Sequence, residues 1–132
     1  MSALHPDQAS PARAEAAFSF LIGLGYRLEA REVTGGGSNR DGWWLVYAGP
    51  HVRVTVEYLD QQLSVRFERA GVAADYLAID RNLMGWRSGL HGDMFPPEKL
   101  AAVLESIARD VRDRFQPVLA GDDEIWSRIE RL

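Results

Sequence analysis

Residues 43–69 read WWLVYAGPHVRVTVEYLDQQLSVRFER, and few folds accept such a stretch. Val52, Val54, Val56 and Tyr58 alternate with Arg53, Thr55 and Glu57, and Leu63, Val65 and Phe67 alternate with Ser64, Arg66 and Glu68. A period of two, rich in β-branched and aromatic side chains, predicts strands with one buried face.

The register follows from the pattern. A turn centred on Asp60-Gln61 sets Tyr58 opposite Leu63, Val56 opposite Val65, and Val54 opposite Phe67. Arg53 then faces Glu68 on the other side. A second turn centred on Gly49-Pro50 sets Tyr47 opposite Val52, Leu45 opposite Val54, and Trp43 opposite Val56. One apolar face thus runs across three strands, and a one-residue slip would expose it, so the register is strongly specified. Each good cross-strand pair contributes roughly 0.2–1 kcal/mol. Asp-Gln is a weak type I′ signal, so a longer loop with the same register fits equally well.

The chain has 132 residues, which suits one domain with a core of its own. Residues 1–10 are polar and read as a loose lead-in, and residues 11–132 as the domain. Ser10-Pro11 is a helix start. The first helix runs to about Leu24, with Ala14, Ala17, Phe18, Leu21 and Ile22 as its stripe and Gly23 and Gly25 to end it. Tyr26 to Thr34 is the first strand, with Leu28 and Ala30 inward and Arg27, Glu29 and Arg31 outward. Residues 35–42, GGGSNRDG, connect it to the Trp43 strand as a hairpin loop.

After Arg69 the pattern weakens. Ala70-Gly71 breaks the strand, and Tyr76, Leu77, Ile79, Leu83 and Met84 form either a short helix or an irregular segment. Residues 85–97 are a loop. Pro96-Pro97 opens the strongest helix, whose stripe is Leu100, Val103, Leu104, Ile107, Val111 and Phe115. Asp122 or Asp123 caps a last helix carrying Ile125, Trp126, Ile129 and Leu132, and the break at 117–121 leaves room for it to pack separately. The expected fold is α+β: an N-terminal helix, a four-stranded antiparallel meander, then C-terminal helices packed on the sheet.

Composition narrows the function classes. Cysteine is absent, which removes disulfides, thiolate catalysis and cysteine-based zinc sites. The net charge of −4 argues against non-specific nucleic-acid or membrane-surface binding. No apolar run approaches the ~20 residues that span a bilayer. The N-terminus lacks a basic start followed by an apolar run, so no signal peptide is expected and the cytoplasm is the expected compartment.

Catalytic patterns are weak. Gly35–Gly37 lacks the Gly-Lys-Ser/Thr and the following helix of a phosphate loop. His5, His51 and His91 have no partners at ligand spacing, and a pairing such as His91 with Asp93 falls short of three or four ligands, so no metal is expected. Glu105, Asp110 and Asp113 mix with Arg109, Arg112 and Arg114 as a solvated helix face. Asp75 and Asp80 read as turn residues, and Ser88 in WRSG is not a nucleophile elbow.

Tryptophan carries the stronger signal. Trp43 belongs to the inner face and Trp126 to a helical stripe, so packing explains both. Trp44 falls on the outer sheet face with Val46, Arg53, Thr55 and Arg66, and Trp86 lies in a glycine-rich loop beside Arg87. Trp and Arg dominate interface hot spots. Two readings of Trp44 stand side by side: a partner surface, or a face covered by the last helix.

The segments FSFLIGLGYRLEA and WWLVYAGPHVRVTVEYLDQQLSVRF, followed by a long helix, resemble a widespread type of small bacterial α+β protein. Immunity proteins of contact-dependent and polymorphic toxin systems are similar in size, acidity and layout. The resemblance covers residues 15–116, lies in layout alone, and carries over no functional residue. It implies a cytoplasmic, non-enzymatic protein that neutralises a partner.

The expected function is therefore a protein-binding module without a cofactor. Its candidate surface is Trp44, Arg53, Arg66, Trp86, Arg87 and His91, facing a protein partner or a second copy in a homodimer. The alternative is a small-molecule-binding domain or enzyme, with a pocket between sheet and helices, the 85–95 loop as its lid, and Arg87 and His91 on the ligand.

Overall fold

A computed structural model describes residues 10–34 and 42–132. The lead-in before Ser10 and nearly all of the glycine-rich connection lie outside the described residues. The elements, in order, are α1 (Pro11–Ala17), α2 (Phe20–Gly23), β1 (Arg27–Thr34), β2 (Gly42–Ala48), β3 (Arg53–Leu59), β4 (Gln62–Arg69), β5 (Val72–Asp75), α3 (Tyr76–Leu83), α4 (Pro97–Arg114), α5 (Gln116–Leu119) and α6 (Asp123–Glu130). The fold is α+β, with an antiparallel sheet in the order β1-β2-β3-β4-β5.

Among the described residues the sheet has five strands rather than four. Ala70-Gly71 does not end the meander. Both residues take left-handed backbone, φ 51° and 83°, and turn the chain into β5. Asp60 and Gln61 do the same, at φ 50° and 67°, and close β3 onto β4 in the register read from the sequence.

The β2–β3 hairpin differs. Tyr47 faces Val54, Leu45 faces Val56 and Trp43 faces Tyr58, two residues from the expected pairing. The loop holds residues 49–52 and is closed by Gly49 N–H to the Val52 carbonyl at 2.9 Å. A shift of two keeps every side chain on its face, because the strand period is two. Trp43, Leu45, Tyr47, Val52, Val54, Val56, Tyr58, Leu63, Val65 and Phe67 are accordingly all buried.

Strand β1 corrects a second expectation. Leu28 pairs with Tyr47, but Ala30 pairs with Val46, so a bulge at Glu29 inverts the alternation. Ala30 shares the outer face with Val46. Arg31, expected outside, pairs with Leu45, and its Nε donates to Glu15 of α1 at 2.8 Å. The N-terminal helix is also not continuous. It breaks at Phe18-Ser19, and the turn rotates Ile22 out to 53% exposure while Phe18 and Leu21 stay buried.

All helices that reach the core do so from one side. Leu100, Leu104, Ile107 and Val111 of α4 join the inner sheet face in a single apolar cluster, and the Phe67 and Phe115 rings lie 5.6 Å apart. The segment Tyr76–Met84 resolves to a helix, started by Asp75, whose side chain accepts from Ala78 N–H at 2.8 Å. Asp122 caps α6 by accepting from the N–H groups of Glu124 and Ile125. The last helix does not pack apart: Trp126 is buried and its indole N–H donates to the Val118 carbonyl at 3.0 Å. Asp123 pairs with Arg69, and Trp126 and Val72 line one cleft, which sets α6 on the inner side of β5. Trp44 is half-buried on the opposite face, so the covering of that face by the last helix does not occur.

Candidate functional site

The most organised exposed feature is the loop after α3, and its anchor is Asp80. Tyr76, Asp80 and Leu83 fall at spacings of four and three, which place Asp80 on the buried side of α3. It has no solvent exposure, so it is not a turn residue. Its carboxylate accepts from Arg87 N–H at 3.2 Å, Ser88 N–H at 3.2 Å and the Ser88 hydroxyl at 2.5 Å. Arg114 Nη2 donates to it at 2.8 Å.

Arg114 ties α4 to this loop. It pairs with Asp110 as well as Asp80, and its Nη1 donates to the Met84 carbonyl at 2.9 Å. Asp110 also accepts from the Tyr76 hydroxyl at 2.5 Å. Asp110 and Arg114 are therefore not part of a solvated helix face; they form a half-buried bridge between α3 and α4. Burial opposes charge on Asp80, but the hydrogen bonds from Arg114 and Ser88 outweigh it and hold the carboxyl below its usual range. Hydrogen bonding to Asp110 outweighs burial and, with Asp80, keeps Arg114 firmly charged. Burial, then the bond to Asp110, pushes the Tyr76 hydroxyl up.

This anchor fixes an exposed indole. Trp86 N–H donates to the Asp80 carbonyl at 2.7 Å, and the indole N–H donates to the Leu90 carbonyl at 3.0 Å. Trp86 is 43% exposed and sits at φ 55°, between Gly85 at φ 76° and the later Gly89 at φ 70°. Left-handed backbone costs a non-glycine residue ~1–2 kcal/mol, and it persists where the surroundings impose it. The Arg81 guanidinium lies 5.4 Å from the centre of the indole, and the His91 ring meets it edge-on at 5.0 Å. Arg81 also donates to the His91 carbonyl at 2.8 Å.

The structure divides the six candidate residues into two groups. Trp86 and His91 touch, and Arg87 is fixed beside them through its backbone. Trp44, Arg53 and Arg66 lie on the outer sheet face, where Trp44 stands between Glu32 and Glu57, and Arg53 pairs with Glu29 at 3.0 Å. Arg66 is exposed, between Thr55 and Asp75. Among the described residues, no hydrogen bond, ion pair or ring contact joins one group to the other.

The interior offers a small ligand little room. The void between β4, α3 and residues 90–95, lined by Leu63, Tyr76, Leu90 and Phe95, is about 10 Å³, space for about one water. The loop closes onto the sheet by backbone bonds instead: Leu63 N–H to the Asp93 carbonyl at 2.8 Å and Phe95 N–H to the Gln61 carbonyl at 2.9 Å. A surface cleft of about 350 Å³ lies between Leu24, Tyr26, His51 and Leu119. The Tyr26 hydroxyl on its wall is already committed to the Leu119 carbonyl at 2.6 Å. His91 contacts the Trp86 ring and Asp93 accepts from Gln62; among the described residues, no group of three or more His, Asp or Glu side chains is placed to hold a metal. Among the described residues, no helix is long and apolar enough to cross a membrane.

Trp86, Arg87 and His91, named from the sequence, lie together on this loop; Arg81, Asp80, Ser88, Asp110, Arg114 and Tyr76, which hold or flank it, were not named as site residues. The signal was present. Ile107, Val111 and Arg114 share one helical stripe, as do Tyr76, Asp80 and Leu83, and a charge on each apolar stripe needs a buried partner. No family model, curated protein or solved structure matches this chain.

Proposed function

We propose that this chain is a non-enzymatic protein-binding module of the cytoplasm, and that it meets its partner through the loop bearing Trp86, Arg87 and His91. One observation carries the reading: Trp86 is held exposed, in left-handed backbone, by its N–H on the Asp80 carbonyl and its indole N–H on the Leu90 carbonyl. A side chain fixed in advance loses little conformational freedom on binding. Trp and Arg are the residue types that most often dominate binding energy. The Asp80 carboxylate accepts four hydrogen bonds, so it is committed to holding the loop rather than free to act as a base.

The outer sheet face is the second surface of the same proposal. Trp44 and Val46 stand half-buried on it, with Arg53 and Arg66 alongside. It suits a second copy of this chain or a further part of the partner. The finer reading, an immunity-type protein that neutralises a toxin by covering it, rests on the likeness in size, acidity and layout.

The test is affinity capture from the native cell's lysate with wild type, Trp86→Ala and Trp44→Ala, each shown to melt like the wild type. Support is one protein held stoichiometrically, rebinding after purification, and lost from Trp86→Ala. Loss from Trp44→Ala alone moves the site to the sheet. No stoichiometric partner for wild type contradicts the proposal.

A further inference from the structure

The Trp86 loop has a charge opposite in sign to that of the chain. Residues 81–92 carry Arg81, Arg87 and His91 and no carboxylate, in a protein of net charge −4. The carboxylate before them, Asp80, is buried against Arg114. The one after them, Asp93, accepts from Gln62 Nε2 at 2.8 Å. Arg87 is held by its backbone N–H to Asp80, while its exposed guanidinium has no hydrogen bond or ion pair among the described residues. A guanidinium without a partner among the described residues thus stands on a fixed backbone next to an exposed indole.

We infer that this surface takes an acidic segment of a partner protein. A carboxylate pairs with Arg87, a second lies near Arg81 and His91, and an apolar side chain covers the open part of the Trp86 ring. The inference rests on the binding role proposed for the loop and adds the chemistry of what it binds. A guanidinium presents a planar fork of donors that matches a carboxylate. The local positive potential speeds encounter with an acidic segment and repels a basic one. The indole supplies apolar contact that charge alone does not.

The probe is a short labelled peptide alternating Glu with Phe, titrated into the full chain by fluorescence polarisation. Peptides with Gln or Lys in place of Glu, and a labelled single-stranded oligonucleotide, are run beside it. The Glu peptide is expected to bind at least about tenfold more tightly than the Gln peptide, and the Lys peptide less tightly than either. Arg87→Glu and Trp86→Ala each weaken the Glu peptide about tenfold. Arg109→Glu, which removes the same charge from the exposed side of α4, leaves binding unchanged. Raising salt from ~0.05 to ~0.5 M weakens it, because exposed pairs are screened.

No binding of the Glu peptide, equal binding of the Glu and Gln peptides, an equal loss in Arg109→Glu, or tighter binding of the oligonucleotide would overturn the inference. The loop's binding role fails separately. Partner capture that needs Trp86 but ignores Arg87→Glu leaves that role standing and removes the acidic partner.

Discussion

Arg114 Nη2 lies 2.8 Å from Oδ1 of Asp80, a carboxylate with no solvent exposure, and the two residues are 34 positions apart in the chain. This pair joins the end of the long helix to α3, one turn before the exposed loop. It also decides the loop's shape, because the same carboxylate receives the N–H groups of Arg87 and Ser88.

Asp80→Ala should therefore be severe. It strands one bond of Arg114 and releases both loop amides at once. Breaking a buried pair from one side costs ~3–5 kcal/mol. Urea unfolding should show a loss near the lower end, since Arg114 keeps Asp110. A loss under ~1 kcal/mol, within the range of ordinary surface changes, would contradict the anchor.

The pair also sets an acid limit. The Asp80 carboxyl is held below its usual range in the fold, so its ionised form stabilises the protein above that range. The contribution is lost as pH falls through ~4, the unfolded value, and then through the lower folded one. The melting temperature of wild type should drop on acidification below that point. Asp80→Asn should start lower and drop less; parallel curves would show that another carboxylate is responsible.

Gly49 marks a close approach. A Cβ built there would sit 2.3 Å from the Tyr26 ring, whose hydroxyl is tied to Leu119. Gly49→Ala should cost ~1–3 kcal/mol through overpacking. Gly92→Ala, where the added carbon meets nothing within 4 Å, is the control and should be close to neutral. Equal effects in the two variants would refute the packing of Tyr26 on Gly49.

The tight β3–β4 turn predicts a gain. Gln61 holds φ 67° without being glycine. Gln61→Gly removes left-handed strain of about 1 kcal/mol, offset in part by the freedom glycine adds to the unfolded chain. Chemical denaturation should show a net gain of about 0.5 kcal/mol. A loss would show that the Gln61 side chain does more than turn the chain.

Alternation made the sheet core legible: every inner-face residue named from Trp43 to Phe67 is buried. Even the two-residue error in the β2–β3 hairpin left that face intact, since only odd slips exchange faces. The bulge at Glu29 was not legible, because nothing local in Arg-Leu-Glu-Ala-Arg distinguishes a bulge from a regular strand. Nor was β5, four residues long and too short to show a period. The six candidate residues stand out in the sequence by type and exposed context, two Trp, three Arg and one His, and type alone does not tell which lie together. The Asp80 anchor is hidden for a different reason: Asp80 follows a weak pattern and reads as a turn residue, and Asp110 and Arg114 read as a solvated helix face, until each is placed on its helical stripe.

The most direct measurement is the affinity of purified partner for wild type, Trp86→Ala and Trp44→Ala by calorimetry, with melting temperatures recorded in parallel. Trp86→Ala is expected to weaken binding by ~2 kcal/mol or more, the range of a hot-spot residue, with the melting temperature unchanged. Binding that survives Trp86→Ala at full strength would contradict the binding role of Trp86, whichever other surface the partner then proved to use.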